Sequence, residues 1–286
     1  MKILITGAKG QLGKEWMDIV AGMGHHEVIG VGSNELDISN RSHVTKTLNR
    51  IDPHLLINCA AYTDVDQAED DVEQAFLVNE KGVENLAGWC SGHRRKMVHF
   101  STDYVFPGRL GDRKRYPEGY PEEAPTDPVN TYGASKLAGE EKLRKLNTNH
   151  LLIRTSWLCG RYGNNFVSTM LRLGKEKDRL RVVNDQFGSP SFAKNVVYNT
   201  WNLIEKEQTG VFHVTSGGLI TWHRFAEAVF ELSGLDVQVD SISTEEYPTK
   251  ARRPSFSKLN TKKLESIPGC RIIDWKEGLK EERIKG

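Results

Sequence analysis

The sequence lacks the features that mark membrane, secreted and metal-binding proteins. None of its apolar runs approaches the ~20 residues that span a bilayer. Its nine histidines form no HExxH motif. Its cysteines are far apart and form no CxxC pair, which favours reduced thiols over a disulfide framework or a zinc site; they are Cys59, Cys90, Cys159 and Cys270. We therefore expect a cytoplasmic protein that binds no metal and no membrane.

Excess charge of one sign is also absent. The 286 residues carry a formal net charge of +1, from 39 basic and 38 acidic residues. This balance provides no extended basic surface for nucleic acid, so we expect no nucleic-acid partner. The length suits one large α/β domain with a smaller lobe.

What the sequence does contain begins at its N-terminus. Residues 2–6 are a short β-branched apolar run, and Gly7, Gly10 and Gly13 follow as a GxxGxxG motif. Apolar residues then recur at helical spacing between Leu12 and Met23. Strand, glycine turn and helix in this order predict a helix N-terminus that receives the pyrophosphate of a dinucleotide.

Strands and helices alternate through residue 155. Apolar runs at 27–31, 55–58, 97–100 and 150–154 predict further parallel strands, separated by helical segments. We predict an α/β fold with a doubly wound parallel Rossmann sheet in residues 1–157. A smaller C-terminal α/β lobe, mainly 158–286, would bind substrate. Leu180 to Val183 is expected as a last sheet strand, so that 179–206 returns to the large sheet.

Gly32 lies about 20 residues past the glycine motif, where NAD-specific folds usually have a carboxylate that binds the ribose. Nothing there would repel a 2′-phosphate, and Lys9, or Arg41, could attract one. We therefore expect NADPH as the cofactor, with NADH tolerated. Asp37-Ile38 is placed to meet an adenine edge, although Asp37 also suits a helix cap.

Tyr132 and Lys136 are four residues apart in a segment of high helix propensity, so both side chains can reach one reacting centre. An ammonium beside the phenol would lower a pKa that is about 10 in free tyrosine. Such a tyrosine can deliver a proton to a carbonyl. A YxxxK motif alone also occurs by chance in helices, so its weight comes from the upstream motifs.

Taken together, the motifs resemble those of the extended short-chain dehydrogenase/reductase family in type, order and spacing. They are Gly7-x-x-Gly10-x-x-Gly13, Asn58-Cys59-Ala60-Ala61, Ser101-Thr102 and Tyr132-x-x-x-Lys136. Further motifs resemble the dTDP-4-dehydrorhamnose reductase branch of that family. They are residues 63–69, 101–106, 154–157, 163–166 and 184–186, with Arg253-Pro254.

The resemblance implies reduction of the 4-keto group of dTDP-6-deoxy-L-lyxo-4-hexulose by NADPH, the last step of dTDP-L-rhamnose synthesis. It gives catalytic roles to Tyr132 as proton donor, to Lys136 as ribose ligand and to Thr102 as hydrogen-bond donor to the carbonyl. The implied cofactor-binding residues also include Gly7, Lys9, Gly10, Gln11, Leu12, Gly13, Asp37, Ile38, Cys59, Ala60, Ala61, Tyr62 and Asn79. The implied residues for the nucleotide-sugar substrate are Thr63, Val65, Asp103, Tyr104, Trp157, Asn165, Gln186 and Arg253.

Two other functions compete with this one. A regulatory subunit could hold NADP without turnover, because such a protein can keep the glycine turn and the YxxxK motif. A sugar-nucleotide epimerase or dehydratase would retain NAD, and would favour a carboxylate near Gly32. The resemblance is compatible with a homodimer, but the short sequence after Leu279 leaves its mode undefined.

Overall fold

The computed structural model of the chain describes residues 1–282. The strands are β1 (Lys2–Thr6), β2 (Glu27–Val31), β3 (Leu55–Asn58), β4 (Lys96–Thr102), β5 (His150–Thr155), β6 (Leu158–Cys159), β7 (Arg179–Val183), β8 (Phe187–Gly188), β9 (Ser191–Phe192), β10 (Gly210–His213), β11 (Ile220–Thr221) and β12 (Gln238–Ile242). The helices are α1 (Gln11–Gly22), α2 (Arg41–Ile51), α3 (Val72–Phe76), α4 (Val83–Gly92), α5 (Asp112–Arg115), α6 (Thr131–Leu146), α7 (Phe166–Glu176), α8 (Ala193–Glu205), α9 (Trp222–Ser233), α10 (Lys262–Glu265) and α11 (Trp275–Glu281). A π-helical segment, Leu77–Gly82, joins α3 to α4.

Six of these strands form one parallel sheet in the order β10-β5-β4-β3-β1-β2. Alternate residues of each strand face opposite sides of the sheet. Ile3 and Ile5 pack with residues of α1 and α8 on one side. Leu4 packs with residues of α2, α4 and α6 on the other. Helices therefore cover both faces, which confirms the predicted doubly wound α/β fold.

The smaller lobe is built around a second, two-stranded parallel sheet. β7 pairs with β12 from Arg179↔Gln238 to Val183↔Ile242. Helices α7 and α9 cover its apolar face through Met170, Phe225 and Val229. This packing forms a core distinct from those on the two faces of the large sheet.

The expected return of residues 179–206 to the large sheet is therefore corrected. α8 does pack on the large sheet, but β7 pairs in the smaller lobe and β10 is the sixth large-sheet strand. The reason lies in the burial pattern of β7, where Arg179 and Arg181 are exposed and alternate with buried Leu180 and Val182. A strand inside a doubly wound sheet is buried on both faces, so this alternation fits the edge of a small lobe.

The two lobes are joined by a segment that crosses from the C-terminal half to the loop after β3. Ala251 N donates to Asp66 Oδ1 at 3.0 Å, and Arg253 Nη2 donates to Asp66 Oδ2 at 2.7 Å. Lys250 pairs with Asp70. We call residues 250–253 the strap. It fixes the smaller lobe beside the carboxyl ends of the large-sheet strands.

Candidate active site

A cavity of about 1120 Å³ opens at the carboxyl ends of β1 to β5. Ligands of open α/β sheets bind at this edge. The cavity brings together most of the residues named from the sequence. They are Gly7, Lys9, Gly10, Gln11, Leu12, Asp37, Ile38, Cys59, Ala60, Ala61, Tyr62, Thr63, Val65, Thr102, Asp103, Tyr104, Tyr132, Lys136 and Trp157.

The glycine turn forms one end of this cavity. Gly7 has φ +65°, a conformation that side-chain-bearing residues rarely adopt, and a Cβ there would lie 2.6 Å from Ala60 N. A Cβ on Gly13 would lie 2.2 Å from Gly7 O, so Gly13 serves close packing of helix and turn. Gly10 caps α1 without a side-chain hydrogen bond, which leaves the first amides of the helix available. These features fit an anionic pyrophosphate.

Helix α6 carries the tyrosine and lysine pair. Asn130 caps it, and its side chain accepts a hydrogen bond from Gly133 N at 2.8 Å. The helix begins at Thr131, so Tyr132 and Lys136 lie in its opening turns, as the sequence predicts. Tyr132 packs edge-on against the Tyr104 ring, with 5.6 Å between ring centroids.

The expected effect of Lys136 on the tyrosine is corrected by the structure. Lys136 Nζ donates to Phe100 O at 2.6 Å, deep in the protein. Burial and then Asp103 raise the pKa of the Tyr132 phenol to about 12, against a smaller lowering by the Thr102 hydroxyl. Burial also lowers the pKa of Lys136 to about 8, against opposing effects of Glu140 and Cys59. The phenol is therefore fully protonated at neutral pH, which is the form that a proton donor requires.

Thr102 ends β4 beside this pair, and Asp103 begins the turn that follows. Thr102 Oγ1 donates to Asp103 Oδ1 at 2.9 Å and accepts from Tyr104 N at 3.2 Å. Asp103 is 2% exposed, and burial raises its pKa to about 7, against lowering by the hydroxyls of Ser257 and Thr102. A hydroxyl and a carboxyl that titrates near neutrality thus meet at the sheet edge.

Asn79 and Gly13, two of the residues assigned to the cofactor, do not line the cavity. Asn79 is buried in the π-helical segment and uses its whole amide internally. Its Nδ2 donates to Tyr62 O and to Ser135 Oγ, both at 3.0 Å, and its Oδ1 accepts from Tyr62 N at 2.9 Å. It therefore anchors the backbone of Tyr62 to α6.

The substrate residues divide into two groups. Thr63, Val65, Asp103, Tyr104 and Trp157 line the cavity. Trp157 has φ +46° and stacks on Trp222, with 3.5 Å between ring centroids and 11° between ring planes. Trp222 was not singled out from the sequence, although its place at the start of an amphipathic helix was visible there.

Asn165, Gln186 and Arg253 do not line the cavity. Asn165 caps α7 with a capping box, and its Nδ2 donates to Gly160 O at 2.7 Å. Gln186 Nε2 donates to Thr244 Oγ1 at 3.0 Å. Arg253 pairs with Asp66 through one nitrogen, while its buried Nη1 has no hydrogen-bond partner among residues 1–282. Their roles toward substrate stay predictions.

A carboxylate that sequence reasoning missed lies at the end of β2. Glu35 accepts from Gly32 N and from Lys9 Nζ, both at 2.8 Å. The turn after Gly32 brings Glu35 close to the place where we expected no group to repel a 2′-phosphate, but Glu35 pairs with Lys9 and is not among the cavity-lining residues. Arg41 lies outside the cavity, and α2 is capped by Asn40 rather than by Asp37.

The sheet, the glycine turn and the tyrosine and lysine pair together define the class: a Rossmann-type, nicotinamide-dependent oxidoreductase. Within that class, the chain belongs to the family described as the RmlD substrate binding domain, whose sequence model matches residues 1–283. In the described residues 1–282, no helix is long and apolar enough to cross a membrane.

Relatives and solved structures agree with this assignment. The dTDP-4-dehydrorhamnose reductase of Aggregatibacter actinomycetemcomitans is 38% identical, over 99% of this chain and 98% of its own. The spore coat polysaccharide biosynthesis protein SpsK of Bacillus subtilis is also 38% identical, over 98% and 96%. The crystal structure of the Bacillus anthracis dTDP-4-dehydrorhamnose reductase with NADP is 39% identical, with a TM-score of 0.94 and coverage of 99% and 98%.

Proposed function

We propose that the protein reduces the 4-keto group of dTDP-6-deoxy-L-lyxo-4-hexulose to the hydroxyl of dTDP-L-rhamnose, with NADPH. The observation that carries this proposal is the single cavity that holds both the glycine turn and the set of Thr102, Tyr132 and Lys136. The reductases of this family supply the substrate identity. The NADP complex of the B. anthracis relative supplies the cofactor.

The residues present fit the cofactor. The glycine turn and the first amides of α1, which no side chain caps, would hold the pyrophosphate. Asp37 and Ile38 would border the adenine. Cys59, Ala60 and Ala61 would leave space beside the nicotinamide end, and Lys136 would bind its ribose. When bound, NADPH supplies the hydride that is added to the carbonyl carbon.

The chain itself supplies the proton and the charge stabilisation. Negative charge develops on the carbonyl oxygen as the carbon is reduced, so donors aimed at that oxygen lower the barrier. Tyr132, protonated because burial raises its pKa to about 12, gives the proton. Thr102 donates a second hydrogen bond. Val65, Tyr104 and Trp157 would enclose the sugar and exclude water, while Arg253 would reach the diphosphate.

The test is oxidation of NADPH in the presence of the 4-keto sugar nucleotide, made in place by the upstream enzymes and followed by nicotinamide absorbance. We expect Tyr132→Phe to lower kcat/KM about 10²- to 10⁴-fold while the Kd for NADPH stays unchanged, because the variant lacks only the proton donor. The matched control is Tyr162→Phe, which should keep wild-type rates, because Tyr162 is a half-buried tyrosine whose hydroxyl donates to Asp18.

Other results would replace the proposal. NADPH binding without turnover in the wild type would favour a regulatory subunit, and the next search would be for a protein partner. Tightly retained NAD with sugar epimerisation or dehydration would favour those activities instead. Turnover by Tyr132→Phe at the wild-type rate would remove Tyr132 from the role of acid.

Location and assembly are further proposals. We infer a cytoplasmic protein, because all four cysteines are free. A homodimer is also proposed. Sedimentation equilibrium at several concentrations tests it, and a monomer mass throughout would reject it.

A further inference from the structure

The hydroxyl of Thr102 has one proton, and a carboxyl acceptor lies beside it. Thr102 Oγ1 is 2.9 Å from Asp103 Oδ1 and donates to it while Asp103 is ionised. The same oxygen already accepts from Tyr104 N at 3.2 Å. While Asp103 takes the proton, Thr102 has none to offer a substrate carbonyl. The catalytic hydrogen bond therefore needs a different arrangement of this pair.

Burial favours a neutral acid at Asp103 over a carboxylate, and its effect exceeds the opposing effects of the Ser257 and Thr102 hydroxyls and of the Asp103 and Tyr104 backbone amides. Asp103 Oδ2 is buried and has no hydrogen-bond partner in the described part of the chain. An unpaired buried carboxylate oxygen is costly, and protonation relieves the cost. The hydroxyl of Ser257 lies close enough to lower the pKa of Asp103 but does not complete a hydrogen bond of standard geometry to Oδ2.

The charged and titratable groups around Asp103 do not offset this preference. Tyr104 and Tyr132 face it from the adjoining turn and from α6, and both are uncharged at neutral pH because burial raises their pKa values. Arg253 on the strap and Asp66 on the loop after β3 act on the neighbouring Tyr104, and these two charges pair with each other. No cation among residues 1–282 forms an ion pair with Asp103 within 4.0 Å.

We propose that Asp103 is a positioning residue whose protonated form donates to Thr102 Oγ1 and so directs the Thr102 hydroxyl to the reacting carbonyl. This inference rests on the proposed reduction. Thr102 Oγ1 then accepts from Asp103 and from Tyr104 N, and its own proton is free for the substrate. The proton stays on Asp103 throughout, so the step breaks no bond and needs no co-reactant.

The arrangement makes the reaction sensitive to pH in a defined direction. Asp103 loses its proton as pH rises through its pKa of about 7, and the ionised form recaptures the Thr102 proton. For a single group, kcat/KM for the sugar then falls about tenfold for each further pH unit. Loss of the Lys136 proton, at a pKa of about 8, adds a second fall at higher pH.

The experiment compares the pH profiles of kcat/KM for the sugar in wild type, Asp103→Asn and Ser257→Ala, at saturating NADPH. An asparagine amide donates to Thr102 at every pH. We therefore expect Asp103→Asn to lower the rate severalfold at about pH 6, yet to lose the fall near 7 and keep the one near 8. Ser257→Ala removes a group that lowers the pKa of Asp103, so the first fall should move to higher pH.

A double-mutant cycle tests the route through Thr102. In a Thr102→Ala background the fall near 7 should be absent, and adding Asp103→Asn should change the profile no further. The proposal would be overturned if kcat/KM of Asp103→Asn still fell near pH 7 as in the wild type. It would also be overturned if Ser257→Ala left the midpoint of that fall unchanged.

Folding and function are checked separately. If Asp103→Asn fails to fold, infrared spectra of the wild type replace it. A protonated carboxyl band that disappears as pH rises through about 7 supports the proposal. In Ser257→Ala the same band should persist to higher pH. Absence of that band at about pH 6, where ordinary carboxyl groups are already ionised, would contradict the proposal. The band needs no turnover, whereas a wild type that does not oxidise NADPH refutes the proposed function itself.

Discussion

Glu35 is the residue whose charge bears on the choice between NADPH and NADH. NAD-binding folds commonly place a carboxylate at the end of the second strand, where it binds the ribose 2′-hydroxyl. Here Glu35 holds that position through Gly32 N, while Lys9 supplies a neutralising charge at 2.8 Å. The lysine holds the pKa of Glu35 below its usual range, so the pair is ionised at neutral pH. A carboxylate that opposes a 2′-phosphate is thus balanced by a cation that attracts one.

We expect Glu35→Gln to raise the preference for NADPH over NADH, because it removes the negative charge and releases Lys9. The pair is exposed, with 67% and 49% of the two side chains accessible. The change in the ratio of kcat/KM values should therefore be modest, about two- to fivefold. Steady-state assays with both cofactors measure it.

Glu27→Gln is the matched control, since Glu27 is an exposed carboxylate at the opposite end of β2, 3.8 Å from Lys2. It should leave the ratio unchanged. An unaltered ratio in Glu35→Gln, or an equal shift in both variants, would show that Glu35 does not read the cofactor.

At the residue scale, the sequence predicts which groups meet but not their protonation. Helical spacing predicts that Tyr132 and Lys136 lie on one face of a helix, and the upstream motifs indicate that this pair lies at the site. Their pKa values follow from burial, which raises that of Tyr132 to about 12 and lowers that of Lys136 to about 8. Burial depends on contacts distant in the chain, such as Lys136 with Phe100 O.

Helix α6 is the element that positions Tyr132 and Lys136, and a buried ion pair holds it to the sheet. Glu140, one turn after Lys136, accepts from Arg154 Nε at 2.9 Å and from Nη2 at 2.7 Å. Both side chains are almost fully buried, and Arg154 Nη1 also donates to Glu122 O at 3.0 Å. Glu140 therefore anchors α6 on β5 and places a negative charge near Lys136, whose pKa it raises.

We expect Glu140→Gln to act on both stability and pH dependence. It leaves a buried guanidinium without its counter-charge, which costs about 3–5 kcal/mol of unfolding free energy. It also removes the charge that raises the pKa of Lys136. The ammonium is then lost at a lower pH, so the second fall of kcat/KM, near 8 in the wild type, moves down. Urea unfolding and the pH profile measure the two effects.

Lys142→Met serves as the control, because Lys142 lies on the same helix and pairs with Glu84 at 3.2 Å on a partly exposed face. It should change the free energy of unfolding far less than Glu140→Gln does and leave the pH profile unchanged. A wild-type alkaline midpoint in folded Glu140→Gln would mean that the ion pair is purely structural.

At the element scale, the strands whose residues are apolar on both faces were predictable, as β1 and β3 show. The prediction for β7 was wrong because the apolar residues of Leu180 to Val183 suggested a core strand. Arg179 and Arg181, which are exposed, were given too little weight. Its partner is β12, a segment with no strong strand pattern of its own. Pairing between distant short strands depends on which lobe can cover their apolar face, and a local pattern does not encode that.

At the scale of the whole molecule, the strap joins the two lobes beside the cavity. Asp66, which the strap holds, follows Thr63 and Val65 in one loop, so the strap and the sugar site are mechanically connected. The order of the lobes along the chain could be predicted from the loss of strict alternation after Trp157. The strap could not, because its contacts pair residues more than a hundred positions apart.

We expect Arg253→Met to raise KM for the nucleotide sugar at least about tenfold, because the variant loses one strong hydrogen bond to a charged group. The Kd for NADPH should stay unchanged, because the glycine turn lies at the other end of the cavity. The matched control is Lys250→Met on the same strap, whose pair with Asp70 is exposed on both sides. It should change KM at most about twofold.

The two variants separate recognition from tethering. If Arg253 serves only to fasten the strap to Asp66, then Asp66→Asn should raise KM as much as Arg253→Met does. If Arg253 instead binds the diphosphate, Asp66→Asn frees its guanidinium from a competing carboxylate, so KM should fall or hold steady while Arg253→Met still raises it. We expect the second pattern, because Nη1 of Arg253 is buried without a hydrogen-bond partner among residues 1–282 and a diphosphate oxygen would satisfy it.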